Sequence, residues 1–379
     1  MIILQKTAHA HTLMTLLAYV GEFPTKSVSL LGSERVWKAL IHKMTQPQEV
    51  KLLKSGESVH CQLVSISGKA GAKTVRMHKS ALPVLEKMDL RAYRYYMDHF
   101  QEHHFSGDPA HIDRDHRVAE AVAMCWKASV DIAPAVLPQL REPDVQKIQV
   151  SDPVLYLSRE LKDFWNGEMH KTMYTRIVGL LHCPGNCYGI YNTRKALMKW
   201  NGIGEEKIRH YLSYALDLDT PDGKLSSAIL FGDDYDIALR SLQASTVQAR
   251  FDKVYQHIHF VPMNEMGIKM LRTLTAPAWQ EQQIEMLYGA ENRAAGYQSF
   301  EYDAVVDGVY CFSHLDGDLC RLMRLRSALN SSPDLKVEIT CYPEQEPFIK
   351  EYMDRFRGKN RITIRTIRID QVCRYLFDE

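Results

Sequence analysis

The chain of 379 residues contains no long apolar segment and no glycine-rich phosphate-binding loop. No run approaches the roughly 18 apolar residues that a membrane span requires. The first residues, MIILQKTAHAHTLM, lack the basic start, long apolar stretch and small-residue cleavage site of a secretion signal. The usual nucleotide-binding signature is also missing after every strand-like run. These absences predict a cytoplasmic protein that does not span a membrane and that binds no cofactor.

Cysteine usage fits the same compartment. The eight cysteines are scattered rather than spaced as a disulfide framework. Several lie in apolar runs, where a free thiol packs as a small core residue, and a reducing cytoplasm fits this usage best. With 45% hydrophobic and 25% charged residues the composition is that of a globular protein, and the length predicts two or three domains.

Charge is distributed unevenly along the chain. Residues 1–89 contain 12 Lys and Arg against 6 Asp and Glu, whereas the formal net charge of the whole chain is only +1. A basic first quarter attached to a slightly acidic body suggests that this end contacts a polyanion. A solvated basic surface without a partner is the alternative.

Residues 1–90 show the pattern of a winged helix-turn-helix domain. Apolar residues at helical spacing predict a first helix over 8–20, and Thr25 is placed to cap a short second helix. A third helix is predicted over 33–46, with Val36, Leu40, Ile41 and Met44 as its buried stripe.

Two strand-like runs, 49–53 and 59–67, follow the third helix and predict a hairpin, the wing. In such a domain the third helix enters the major groove of duplex DNA and the hairpin lies along the backbone. The candidate DNA-contacting residues are Ser33, Arg35, Lys38, His42 and Lys43 on the third helix, and Lys51, Lys54, Lys69, Lys73 and Arg76 in the wing. The same topology can also bind protein, which remains open.

Residues 91–150 are predicted to form a helical linker region. Five histidines lie within 99–116, but no set of four ligands stands at a recognised zinc spacing, so no metal site is predicted. Asp113 or Asp115 is the expected N-cap of the next helix, HRVAEAVAMCWKA.

Residues 151–220 allow two interpretations. In the first, a helix spans GEMHKTMYTRIVGLL and a hairpin follows it, which makes a second winged helix. Its candidate DNA-binding residues are Lys171, Thr172, Thr175, Arg176 and Arg194. In the second, RIVGLL and CYGIYN are adjacent strands of a nuclease-like core that lacks the carboxylates needed to hold a catalytic metal.

Residues 221–379 alternate strand-like and helix-like segments, which predicts a C-terminal α/β domain with a largely parallel sheet. The most suggestive polar cluster is Asp303, Asp307, Asp316 and Asp318. Asp316 and Asp318 precede a predicted helix, so helix capping explains them better than ligand binding. A basic stripe on that helix, Arg321, Arg324 and Arg326, is expected to be solvated.

Four segments resemble the replication-relaxation family of bacterial plasmids and integrative elements. They are SERVWKALIHKM, DHRVAEAVAM, YTRIVGLLHCPGNCYGIYNTRKALMKW and FEYDAVVDGVYCFSHLDGDLCRLMR. The resemblance implies a DNA-binding accessory protein of a mobile element, acting in plasmid replication, mobilisation or transcription. The missing carboxylates in the middle region depart from the pattern of an active nuclease.

The expected function is therefore binding of double-stranded DNA without catalysis, either as a monomer or as a homodimer on a palindromic site. Two alternatives remain. One is a nuclease in which Glu205, Glu206 or the aspartates between 303 and 318 hold Mg²⁺. The other is an assembly factor that uses the winged helix to bind protein.

Overall fold

The computed structural model describes residues 1–69, 72–100, 103–105, 107–137, 150–163, 176–198, 200, 203–216, 225–244, 251–297, 300–354 and 359–377. The chain forms two compact units, an N-terminal unit, Met1–Ala135, and a C-terminal unit, Val136–Glu379. The sequence placed boundaries at 90, 150 and 220 instead. The fold mixes helices with several sheets, as predicted. Among the described residues no helix is both long enough and apolar enough to cross a membrane.

The described residues of the N-terminal unit form five α-helices, a longer 3-10 helix and six strands. The helices are α1 (His9–Val20), the 3-10 helix Thr25–Leu31, α2 (Glu34–Met44), α3 (Leu82–Met88), α4 (Leu90–His99) and α5 (Pro109–Lys127). The strands are β1 (Ile2–Leu4), β2 (Glu22–Pro24), β3 (Gln48–Leu52), β4 (Ser58–Cys61), β5 (Val64–Ser67) and β6 (Thr74–Met77).

These six strands form two small sheets. One has the order β1-β3-β4, in which β1 and β3 are parallel; the other has the order β2-β6-β5 and is antiparallel. The run 59–67 was expected to be one strand of one wing, and this was wrong. It divides at Gln62 and Leu63 between β4 and β5, which belong to different sheets.

The core of the N-terminal unit lies between α1 and its neighbours. Leu13, Leu16 and Leu17 of α1 are fully buried, as their helical spacing predicts. On α2, Trp37, Ile41 and Met44 are buried. Val36, which was assigned to the buried stripe, is instead 47% exposed. Trp37 takes its place because its indole stacks on the ring of His9 of α1, with ring centroids 4.8 Å apart.

Helix α5 begins earlier than expected. Its N-cap is Asp108, whose carboxylate accepts a hydrogen bond from the backbone N–H of His111, and Pro109 occupies the first turn. The expected caps were wrong, because Asp113 lies inside the helix, where it pairs with Arg117 one turn later. Helix α5 packs against β2 and the 3-10 helix, so it belongs to the N-terminal unit rather than to a linker.

The C-terminal unit contains ten strands and eight described helices. The strands are β7 (Val154–Leu157), β8 (Ile177–Cys183), β9 (Asn186–Arg194), β10 (Ser227–Gly232), β11 (His257–Pro262), β12 (Arg293–Tyr297), β13 (Glu301–Val306), β14 (Val309–Ser313), β15 (Val337–Cys341) and β16 (Ile362–Thr366). The helices are α6 (Ser158–Asp163), α7 (Ile203–Leu216), α8 (Tyr235–Ala244), α9 (Glu265–Leu274), α10 (Trp279–Tyr288), α11 (Leu319–Ser331), α12 (Glu346–Asp354) and α13 (Ile369–Phe377).

The ten strands form two five-stranded sheets with the same connectivity. The first C-terminal sheet has the order β11-β10-β9-β8-β7, and the second has the order β12-β13-β14-β15-β16. In each, the first three strands of the chain form an antiparallel meander, and the next two are added in parallel through helical crossovers. The single, largely parallel sheet that was predicted is therefore replaced by two mixed sheets.

The two interpretations of residues 151–220 differ at β8. Residues 177–183 form a buried strand that pairs antiparallel with β9, so the helix expected through RIVGLL was wrong and the adjacent-strand interpretation is confirmed there. Every residue of β8 is buried, which explains the uninterrupted apolar run without alternation. The first part of that predicted helix, up to residue 175, lies largely outside the described residues.

The two C-terminal sheets meet where β11 lies beside the segment before α11. The backbone N–H of Phe260 donates to the carbonyl of Gly317 at 2.9 Å, and the backbone N–H of Ile258 donates to the carboxylate of Asp318 at 3.2 Å. Gly317 has φ +68°, and a Cβ there would lie 2.5 Å from the carbonyl oxygen of Phe260. The close approach of the two segments thus requires glycine.

Candidate nucleic-acid interface

Five of the fifteen residues predicted to contact DNA lie on the exposed side of α2 or just before it. Ser33 precedes the helix, and Arg35, Lys38, His42 and Lys43 all lie on its exposed side. Lys38 forms an ion pair with Glu34 one turn earlier. The buried side of the helix faces the unit's core through Trp37, so the cations project outward from a fixed backbone.

Two further exposed residues of α2 were not among those predicted to contact DNA. Val36 and Ala39 are both exposed and lie among the cations. Single exposed apolar side chains are common on protein surfaces, so the exposure of Val36 alone identifies no partner. A helical wheel centred on Trp37 places both residues on the exposed side, whereas Val36 was expected in the core.

The cations assigned to one wing lie in two hairpins. Lys51 is on β3 and Lys54 is in the turn after it, and both are exposed. Lys69 and Lys73 are exposed in the β5–β6 loop. The base of this second loop is held by Thr25, whose backbone N–H and hydroxyl both donate to the carbonyl of Lys73, at 2.9 and 3.1 Å.

Arg76, the last predicted wing cation, makes its contacts with residues of the N-terminal unit itself. Its Nε donates to the carboxylate of Glu22 at 2.6 Å, and its guanidinium lies 4.7 Å from the centre of the Phe105 ring. Burial raises the pKa of Glu22, and the charge of Arg76 opposes that rise. The hydroxyl of Thr74 and Nε2 of His116 lie 2.7 Å apart beside this pair. Arg76 thus links β6 to β2.

Only two of the five residues in the second predicted DNA-binding group, Arg176 and Arg194, lie within the described residues. Lys171, Thr172 and Thr175 lie outside the described residues. Arg176 lies just before β8 and forms an ion pair of 2.9 Å with Glu205, a residue that is 4% exposed. Arg194 is the last residue of β9, with φ +52°, and lies at the same open end of the antiparallel β8–β9 hairpin as Arg176.

The histidines of residues 99–116 take part in separate contacts. His99 stacks on Tyr95, and Nδ1 of His103 lies 2.6 Å from the hydroxyl of Tyr96. His111 contacts the carboxylate of Asp108. Within the described part of the chain, no three His, Cys, Asp or Glu side chains are grouped so that they could hold a metal ion. All eight cysteines lie within the described residues, where they form no disulfide and are buried, as core thiols are.

The aspartate cluster of the C-terminal unit is a buried ion network. Arg321 of α11 is 5% exposed, and its guanidinium contacts Asp303 at 2.7 Å, Glu301 at 3.4 Å and Asp316 at 3.7 Å. Burial raises the pKa of Asp303, and the charge of Arg321 opposes that rise. Asp307 lies apart, in the β13–β14 turn, with φ +49°.

Asp318 caps α11, which confirms the capping interpretation. Its carboxylate accepts from the backbone N–H groups of Cys320 and Arg321, at 2.9 and 3.3 Å. It also contacts Nδ1 of His257 at 2.7 Å. Burial alone would raise the pKa of Asp318, but the hydrogen bond and charge of His257 lower it below its usual value.

The stripe of arginines on α11 was expected to be solvated, and this was wrong. Besides Arg321, Arg324 pairs with Glu301 at 3.1 Å, and Arg326 lies over the ring of Tyr352 at 4.4 Å. The acids that hold Arg321 and Arg324 come from β13 and from the segment before α11, so helical spacing alone could not identify these pairs. The acidic residues Glu301, Asp303 and Asp316 thus form ion pairs with arginines of α11.

No protein-family model matches the chain, and none of the curated proteins or solved structures compared with it gives a match.

Proposed function

We propose that the protein binds double-stranded DNA through its N-terminal unit, a winged helix in which α2 enters the major groove. The observation that carries the proposal is the exposed cationic surface of α2, opposite a buried side that includes Trp37. A helix fixed to a domain on one side and cationic on the other suits insertion between two phosphate backbones.

The order of elements around α2 supports a winged helix. Helix α1 is followed by β2, the 3-10 helix and α2, and β5 and β6 then form a hairpin whose second strand pairs with β2. The wing in this proposal is the β5–β6 loop with Lys69 and Lys73, because β6 joins it to the sheet beside α2. The β3–β4 hairpin, which the sequence had offered as part of the wing, is an addition between α2 and β5.

The number of exposed cations sets the expected salt dependence. Lys38 and Lys43 on α2 and Lys69 and Lys73 in the wing are all exposed, so four phosphates are within the capacity of this surface. Each neutralised phosphate contributes a slope of about −0.9 to log K against log salt, so we expect a total slope of about −4.

Fluorescence anisotropy with a labelled random-sequence duplex, between 50 and 200 mM salt, tests this directly. The double variant Lys69→Ala/Lys73→Ala should reduce the steepness of the slope by about 2, since each removed phosphate contact contributes about 0.9. Arg94→Ala is the matched control, because Arg94 is exposed on α4 outside this surface. Absence of salt-sensitive binding by the unaltered chain would contradict the proposal and favour a protein partner for α2.

The resemblance to the replication-relaxation family adds a biological process to the proposal: the protein would act in replication, mobilisation or transcription of a mobile element. A homodimer on a palindromic site is part of the same proposal, and selected sites with two half-sites about one helical turn apart would support it. A nuclease is less well supported, because Glu205 is paired with Arg176 and the aspartates at 303 and 316 with Arg321. Incubation with supercoiled DNA and Mg²⁺ separates the alternatives, since a binding protein produces no nicks.

A further inference from the structure

The exposed side of α2 has a central ridge and two cationic flanks. Successive residues of an α-helix are rotated by roughly 100°. With the buried side centred on Trp37, Ile41 and Met44, the opposite ridge consists of Arg35, Ala39, His42 and Gln46, the last just beyond the helix. Lys38 and Lys43 lie roughly 70° to either side of this ridge.

We infer that this arrangement divides the work of DNA recognition, with Arg35 reading a guanine and the flanking Lys38 and Lys43 each holding one phosphate backbone. The inference rests on the proposed function and adds the kind of base pair recognised. The inference assigns Arg35 a different role from Lys38 and Lys43, although all three carry the same charge.

Ala39 makes close approach of the ridge to the groove floor feasible. It lies between Arg35 and His42 and is exposed, so the middle of the ridge carries no side chain beyond Cβ. A helix whose central outward residue is small can sit deeper in the major groove, which is about 12 Å wide, than one with a long side chain there. The longer Arg35 and His42 on either side can then extend to base edges.

The position of Arg35 favours base contact over phosphate contact. It is the second residue of α2, and the N-terminal residues of a recognition helix are those that contact base edges. Its planar guanidinium can donate two parallel hydrogen bonds to O6 and N7 of guanine, the commonest specific contact in protein–DNA complexes. Glu34, the residue before Arg35, forms its described ion pair with Lys38. This ion pair orients Lys38 along the helix and does not involve Arg35.

The flanking lysines have a different role because they lie on opposite sides of the ridge. A helix in the major groove has one phosphate backbone on each side, so Lys38 and Lys43 are placed to contact different strands. Phosphate contacts carry no base information, and their loss should weaken binding to every sequence equally.

The test begins with selection of bound sites from random duplex DNA by the full chain. Dissociation constants of Arg35→Ala and Lys43→Ala are then measured on the selected duplex and on a scrambled duplex of equal length. Loss of a bidentate guanine contact is worth about 1–3 kcal/mol, so Arg35→Ala should weaken binding to the selected duplex by about 5–150-fold. Binding to the scrambled duplex should change by less than about 3-fold, and a repeated selection should lose its preference at one G·C pair.

Lys43→Ala is the matched charge control. It should weaken binding to both duplexes by the same factor and reduce the steepness of the salt slope by about 1. Thermal unfolding of both variants should match that of the unaltered chain, because neither side chain is buried. An equal loss on both duplexes for Arg35→Ala overturns the division of roles while leaving DNA binding intact. A failure of the unaltered chain to bind or select any duplex overturns the proposed function itself.

Discussion

Removal of Asp303 should destabilise the C-terminal unit strongly. Its carboxylate contacts the buried guanidinium of Arg321 at 2.7 Å and accepts from the backbone N–H of Ser313 at 2.6 Å. Breaking a buried ion pair from one side costs about 3–5 kcal/mol, because the remaining charge loses its partner. Asp316 and Glu301 stay near Arg321, at 3.7 and 3.4 Å, so we expect a value near 3 kcal/mol for Asp303→Ala.

Scanning calorimetry of the full chain measures this effect. For a domain of this size each kcal/mol lowers Tm by about 2–4 °C, so Asp303→Ala should lower the transition of the C-terminal unit by about 6–12 °C. Glu351→Ala, at an exposed position of α12, is the control and should move it by less than about 2 °C. The reasoning is refuted if the transition of Asp303→Ala matches that of the control.

Two further predictions concern the same unit. Gly267→Ala should lower Tm although alanine favours helices, because a Cβ there would lie 1.7 Å from the carbonyl oxygen of Pro262; Gly204→Ala, which meets nothing within 4 Å, should leave Tm unchanged or raise it. The His257–Asp318 pair should make the stability of the unit depend on pH. Burial alone would lower the pKa of His257, but the hydrogen bond and charge of Asp318 raise it above its ordinary 6.5. The pKa of Asp318 is in turn lowered below its ordinary 3.8. The contribution of His257 to the free energy of unfolding is complete below pH 6.5 and is lost as pH rises through its raised pKa. The contribution of Asp318 is complete above pH 3.8 and is lost as pH falls toward its lowered pKa. Tm measured from pH 3 to 9 should therefore vary less in Asp318→Asn, whereas equal profiles for both proteins would contradict this account.

Local patterns identified most elements of the C-terminal unit. The strands at 227–232, 257–262 and 337–341 and the helices α8, α9 and α11 were predicted, because strand and helix periods alternate there. Helix α10 was not predicted. What could not be predicted was the division of the strands between two sheets. Strand pairing is a non-local property, and each strand's own residues are compatible with a neighbour on either side.

The N-terminal unit shows the same limit on a smaller scale. The apolar pattern over 59–67 continues across Gln62 and Leu63, although the chain changes sheets there. At α2 the expected buried stripe is correct at Ile41 and Met44, but Trp37 is buried in place of Val36, since the two are adjacent and both apolar. The contact of Trp37 with His9, a residue of another helix, decides which one is buried. The cations predicted on α2 do lie on its exposed side, since charged side chains are costly to bury.

The contact between β11 and the segment before α11 has a consequence for biosynthesis. Strand β11 is at the edge of its sheet, and the groups that satisfy its outer N–H groups, the carbonyl of Gly317 and the carboxylate of Asp318, lie nearly sixty residues further along the chain. At a synthesis rate of about 5–20 residues per second, the edge stays open for about 3–12 seconds after it emerges from the ribosome. An open apolar edge can pair with another chain. Because Gly317 is needed for this closure, slow translation and substitutions at Gly317 should favour aggregation of the nascent chain by the same route.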